Sequence, residues 1–184
     1  IGEYIADIQE EFDGLVNEVV AHTDVDLAVY DPKNPEERLI RVTETNLGDL
    51  CADAYRVMSG ADVAIVNGGG IRSDIKAGDI TYGDIIAVHP FGNSMCVVKC
   101  TGQQILDALE LGASALPGES GGFLQVSGMS YTIDLNVEST VKRDKDGLFL
   151  SVDGDRRVKD VKIGDKALDS EQTYTLACHD YLLK

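Results

Sequence analysis

The chain has 184 residues, 43% hydrophobic and 26% charged, enough to bury one core of ordinary domain size. Its 32 Asp and Glu outnumber its 16 Lys and Arg, for a net charge of −16. Such a surface repels nucleic-acid polymers and anionic membranes. No run of about 18 apolar residues offers a membrane span.

The first residues, Ile1 to Asp7, are acidic and lack the basic and apolar regions of a signal peptide, so the chain reads as cytosolic or as an internal piece of a longer protein. From Tyr4 to Val20, apolar residues at Ile5, Ile8, Phe12, Leu15, Val16 and Val19 form a helical stripe. Asp24 to Val29 alternates like a strand, and Asp31 to Pro35 reads as a loop. Asn46 is expected to cap a helix reaching about Met58, with Leu47, Leu50, Cys51 and Ala54 inward. Ala61 to Val66 is an apolar strand running into three glycines. Thr81 caps a short helix to Ala87, Met95 to Cys100 is a strand, and Thr101 with Gln104 forms a capping box opening a helix to about Ala115. Leu116 to Gly122 reads as a flexible loop. Strands and hairpins follow from Leu124, with turns at Asp146-Gly147 and Asp153-Gly154. The acidic stretch Asp144 to Asp155 misses the EF-hand spacing and reads as solvated turns. Strands interleaved with helices predict an α+β single domain, a mixed β-sheet flanked by helices.

Of the four cysteines, none forms a Cys-x-x-Cys pair. Cys96 and Cys100 share a strand face about 13 Å apart, too far to bridge, so buried free thiols are expected.

Two short motifs carry the chemistry. Ile65-Val66-Asn67-Gly68-Gly69-Gly70-Ile71-Arg72 takes a strand into a turn of bare backbone ending in a forked cation suited to phosphate or vicinal hydroxyls. Pro90-Phe91-Gly92-Asn93 sets an aromatic face beside an amide. A flat apolar face, an amide and an arginine together match a nucleotide. Taken singly, a tight turn and a plugging aromatic are the alternatives. In a chain this acidic, a phosphate site has to be a local arginine cluster. The dinucleotide fingerprint fails, because Ser73 stands where Gly or Ala belongs, and no P-loop is present.

The flanks sharpen the reading. Arg41-x-x-Glu44-Thr45-Asn46-Leu47-Gly48-Asp49-Leu50 precedes these motifs, Thr81-Tyr82-Gly83-Asp84 lies between them, and Gly122 to Gly128 follows. In this order the chain from about Arg41 onward resembles the C-terminal domain of the 5′-nucleotidase family, which includes UDP-sugar hydrolases and 2′,3′-cyclic-nucleotide phosphodiesterases. The resemblance implies a helical interdomain connector over residues 1–22 and a nucleotide-binding domain over 23–184. It implies that Phe91 stacks a base, with Asn93 near the base edge and Gly92 also binding substrate. Asn67, Gly68, Gly69, Gly70 and Arg72 would line the sugar–phosphate side, with Arg41 as a second arginine for phosphate or ribose, a surface arginine being the alternative. Tyr181 would be the second stacking aromatic, a core tyrosine being the alternative. The family's Gly-Gly-Asp-Gly segment, expected next, is not in this sequence.

The resemblance further implies two divalent metals, held in an N-terminal metallophosphatase domain of the same protein and not by this chain. His22, His89 and His179 are scattered and fit none of the family's ligand settings. No cofactor and no catalytic residue is expected here. The partners expected are a nucleoside or nucleotide and that N-terminal domain, and the family implies a secreted or cell-surface location. A stand-alone nucleotide-binding or interaction module is the alternative.

Overall fold

The computed structural model describes residues 9–10 and 12–183. Residues 9–10 and 12–16 are helical. The remainder of the expected N-terminal stripe, including Ile5 and Ile8, lies outside the described residues. Its far end is corrected: Val19–Thr23 form strand β1, which pairs antiparallel with β3 (Gly78–Thr81).

The centre is a four-stranded mixed sheet. Its inner strands, β2 (Val63–Asn67) and β11 (Thr173–His179), run parallel to each other. β4 (Met95–Thr101) and β5 (Leu124–Ser127) pair antiparallel at the two edges, giving the order β4-β11-β2-β5. Every residue of β2 is buried, as a strand covered on both faces requires. Val63 and Ile65 join a core with Ile105, Leu109 and Leu176, while Val66 points to a second core with Leu47, Cys51 and Ile71. The period of two thus divides one strand between two cores.

Helix α1 (Asn46–Ser59) covers the second face. Its cap is Thr45, not Asn46: the Thr45 hydroxyl accepts from Gly48 N at 3.1 Å. Asn46 is spent elsewhere, donating to the Asp26 carbonyl and accepting from Ala28 N. That side-chain pairing holds residues 24–29 out of a regular strand, leaving a single bridge between Leu27 and Ile75. Leu47 and Cys51 are buried as expected, but Leu50 is exposed and Ala54 lies with it on an open flank of the helix.

Helices α2 (Tyr82–Val88) and α3 (Gly102–Ala113) both begin with complete capping boxes, Thr81 with Asp84 and Thr101 with Gln104. Each such cap is worth roughly 1 kcal/mol. α3 packs on the first face of the sheet. Beside it lies a three-stranded antiparallel sheet of β6 (Met129–Ile133), β9 (Val158–Ile163) and β10 (Lys166–Ala167), with β9 in the middle. β7 (Val141–Arg143) and β8 (Phe149–Val152) form the hairpin expected around Asp146-Gly147, with Gly147 at φ +84°.

Candidate functional site

Three chain crossings meet where β2 and β11 end side by side. β2 ends at Asn67, and Gly68–Gly70 turn the chain in a short 3-10 helix. The turn is packed too tightly for any side chain. A Cβ on Gly68 would lie 2.1 Å from the Ile40 carbonyl oxygen, and one on Gly69 would lie 2.9 Å from Gly121 Cα. These glycines are needed for close approach, since neither has a positive φ.

The loop expected to be flexible, Leu116 to Gly122, is tied to this turn. Gly69 N donates to the Gly121 carbonyl at 2.9 Å, Gly68 N to the Phe123 carbonyl at 2.7 Å, and Ser120 N to the Arg41 carbonyl at 3.2 Å. A glycine-rich loop gains order when its own carbonyls satisfy the orphan N–H groups of a neighbouring turn.

Asn67 joins all three crossings. Its Nδ2 donates to the Gly121 carbonyl at 2.8 Å, and its Oδ1 lies 2.9 Å from His179 Nε2 at the end of β11. Since Oδ1 can only accept, Nε2 carries the proton. His179 is 2% exposed, and its Nδ1 has no hydrogen-bond partner among the described residues. Tyr55 of α1 lies edge-on to both His179 and His89, with ring centroids 6.3 Å away in each case.

Burial pulls the pKa of both histidines down; for His89 the nearby His179 adds to this, and a backbone hydrogen bond with Gly70 opposes it. The sign follows. A histidine whose folded pKa is depressed supplies stability above its unfolded pKa of about 6.5, and that stability is lost as pH falls through the folded value. Unfolding free energy measured by urea titration is therefore expected to fall as the pH drops below about 6.5. The carboxylates held low, such as Asp62 bonded to Thr175 and Asp84 bonded to Thr81, keep their stabilising contribution there and lose it only as the pH falls further, below the ordinary carboxylate range of about 4. His179→Asn should flatten the first of these falls; an unchanged slope would remove His179 from the account.

Above this floor lies a cavity of about 510 Å3. Of the residues expected from sequence, it brings together Asn67, Gly69, Gly70, Phe91, Asn93 and Tyr181 on its wall. Gly121, Gly122, His179 and Leu182 complete the wall. Phe91 and Tyr181 are 60% and 58% exposed, so neither ring is a core residue. The Tyr181 ring lies 6.1 Å from that of His179.

The remaining expected residues stand off the wall. Gly68 is buried under the turn, and Gly92, at φ +63°, shapes the Phe91 loop. Arg72 is exposed; its guanidinium sits 5.9 Å from the Phe91 ring centroid, and Nη1 donates to the Gly69 carbonyl at 3.3 Å. Arg41 ends a 3-10 turn, Leu39–Arg41. Its pKa is pulled down by burial, then by Arg38 and Arg72, so three cations converge in a chain of charge −16. Arg38 is engaged by Glu119 at 2.6 Å, which leaves Arg41 and Arg72 without an acidic partner among the described ion pairs.

Sequence reasoning missed His179, Arg38 and Gly121. His179 was legible only as the residue two before Tyr181; its partner Asn67 is 112 residues away.

Comparison with known proteins bears on this geometry. The family model described as 5′-nucleotidase, C-terminal domain matches residues 19–184. The trifunctional nucleotide phosphoesterase protein YfkN of Bacillus subtilis is 38% identical over 183 residues, covering 95% of this chain and 11% of that protein. The cell wall protein Lmo0130 of Listeria monocytogenes is 38% identical over 137 residues, 68% of this chain and 17% of that protein. The crystal structure of a 5′-nucleotidase precursor from Thermus thermophilus superposes with a TM-score of 0.76 at 32% identity, over 98% of this chain and 33% of that one. The chain thus spans between about a tenth and a third of the length of these proteins.

Proposed function

The chain belongs to the 5′-nucleotidase C-terminal domain family, and we propose that it is the substrate-recognition part of a metallophosphoesterase acting on nucleotides. The observation that carries this reading is the pair of exposed rings, Phe91 and Tyr181, on the wall of one cavity floored by Asn67 and the glycine turn. Two aromatic faces bind any base by stacking. The Asn93 amide stands at the base edge beside Gly92. Asn67, the backbone of Gly68 to Gly70, Arg72 and Arg41 take the sugar and phosphate. The helical residues before β1 serve as the connector to a preceding metallophosphatase domain, and the location is secreted or at the cell surface, as the name of the Listeria relative suggests for that protein.

The two divalent metals belong to that preceding domain. The residues here do not fit them: no cluster of three His, Cys, Asp or Glu side chains among the described residues is placed to hold a metal. The role of this chain is to bind and orient the nucleotide so that its phosphate ester meets the metals.

The experiment is calorimetry with adenosine. Stacking on one aromatic is worth ~1–3 kcal/mol, so Phe91→Ala should weaken binding about tenfold or more. Because Phe91 is exposed, the melting temperature should hardly move. Unchanged affinity in a folded variant would refute the stacking role.

The arginine makes a separate prediction. Arg72 already props Gly69 and lies over Phe91, so its loss affects every ligand somewhat. Its charge should matter only for phosphate. Arg72→Ala is expected to cost roughly 1–2 kcal/mol more for AMP than for adenosine, the lower end applying because an exposed guanidinium is screened by water. Equal losses for the two ligands would make Arg72 a prop for the turn and not a phosphate contact.

A further inference from the structure

All four cysteines are free thiols, and two of them face each other. In the antiparallel pairing of β4 with β11, Cys96 is directly opposite Cys178. The register continues past the strands, where Asp180 N donates to the Ser94 carbonyl at 3.0 Å, and it starts with Gly102 N donating to the Gln172 carbonyl at 2.9 Å. These two bonds mark the even-numbered positions of β11 as hydrogen-bonded pairs, whose Cα atoms stand about 5.5 Å apart. That is the commonest Cα separation of a disulfide. Both side chains also lie on the same face, in the core with Leu176 and Val98. Cys100 is opposite Tyr174, and Cys51 belongs to the other core, so Cys96 is the partner the register offers Cys178.

We propose that Cys96 and Cys178 form a redox-modification site, a thiol pair that a low-molecular-weight disulfide such as oxidised glutathione converts to a cross-strand disulfide clamping the two strand ends that carry Phe91 and Tyr181. The Cys96 thiolate attacks one sulfur of the small disulfide, giving a mixed disulfide and releasing one small thiolate. Cys178, once deprotonated, attacks the Cys96 sulfur and expels the second. The two cysteines lose two protons and two electrons, and the small disulfide takes them up as two thiols. Cys96 is half-buried and reacts first. Cys178 is buried, its thiol pushed up to about 11, so the closing step is slow. The bond would lie three residues from both Asn93 and Tyr181. Because the Cβ atoms of a hydrogen-bonded pair start about 5.5 Å apart against the roughly 3.5–4.5 Å of a disulfide, closing it draws the two strand ends together and pins both cavity walls.

The test starts from the reduced chain held in glutathione buffers of increasing oxidation at pH 8, over hours. Thiols titrated after denaturation are expected to fall from four to two, and a non-reducing peptide map should link Cys96 to Cys178 with the loss of two hydrogens. The melting temperature should rise by roughly 5–10 °C and return on reduction. Cys96→Ser and Cys178→Ala should each abolish the rise, and Cys100→Ser should keep it. If Cys178→Ala does not fold, Cys96→Ser decides alone, since that side chain is only partly buried. Four thiols persisting at the most oxidising ratio, glutathione remaining on Cys96, or a link involving Cys51 or Cys100 would each overturn the proposal.

Discussion

Purified as the 184-residue chain, the protein is expected to bind adenosine and AMP weakly and to release no phosphate from AMP, with or without added Mn2+, Zn2+ or Mg2+. Hydrolysis of a phosphate ester near neutral pH needs an activated water and neutralisation of the charge on the transferring group. Two of the three histidines are committed otherwise. His22 lies between Asp79 at 2.8 Å and Asp24 at 3.5 Å on an exposed edge, and His179 is locked to Asn67 beneath the cavity. Arg41 and Arg72 can attract a phosphate but cannot generate a hydroxide. On the proposed function, binding is weak because part of the ligand's contacts would come from the preceding domain. Joined to a preceding metallophosphatase domain, the same chain should show metal-dependent phosphate release, a difference of many powers of ten. Metal-dependent turnover by the 184-residue chain, lost on mutating His22, His89 or His179, would sink both this expectation and the division of labour behind it.

The second large effect is structural. Glu110 sits in α3 with no exposed surface, and its two carboxylate oxygens accept from the backbone N–H groups of Arg157 and Val158 at 3.0 and 2.9 Å. Arg157 in turn donates through its guanidinium to the Val137, Ala113 and Leu116 carbonyls. One buried carboxylate therefore joins α3 to the start of β9. Glu110→Ala leaves two buried donors unmatched, at ~1–3 kcal/mol each. A loss of about 3 kcal/mol or more is expected, with a melting temperature lower by roughly 6–12 °C. Glu110→Gln should fare little better, because its amide group presents a donor where the second N–H needs an acceptor. A Gln variant as stable as the parent would show that the two hydrogen bonds are not what holds this junction.

The parts of the molecule legible in the sequence are those whose determinants lie within a few residues of one another. Both capping boxes are readable, since the Thr and its Asp or Gln are three residues apart. So is β2, with its run of apolar residues ending in glycines. The α+β architecture and the two loops meeting at the cavity follow from motif order. What fails has long-range causes. Asn46 leaves the cap to Thr45 because Asp26 and Ala28 claim its amide, and that same claim keeps residues 24–29 from forming the expected strand. Leu50 matches the helical stripe yet faces outward. His179 gives no local sign of its bond to Asn67, and the 116–122 loop looks free until the glycine turn supplies donors for its carbonyls.

The position of β11 has a consequence for how such a chain is made. The strand occupies an inner place in the central sheet, between β4 and β2, yet it is the last strand in sequence among the described residues. Its side-chain anchor to the start of β2, Asp62 with Thr175, spans 113 residues. During synthesis β2 and β4 emerge first with a vacant lane between them, their facing edges unpaired, and closure waits for a contact of very long loop length. A ribosome stalled before Thr173 would hold a chain with open strand edges, a target for chaperones and proteases and a seed for aggregation. His179 and Tyr181 arrive with the same segment, so the cavity takes shape at the moment the sheet closes. Ligand binding would therefore serve as a readout of completed folding, and a C-terminal nonsense or frameshift lesion upstream of β11 should behave as a misfolding defect and not as a selective loss of affinity.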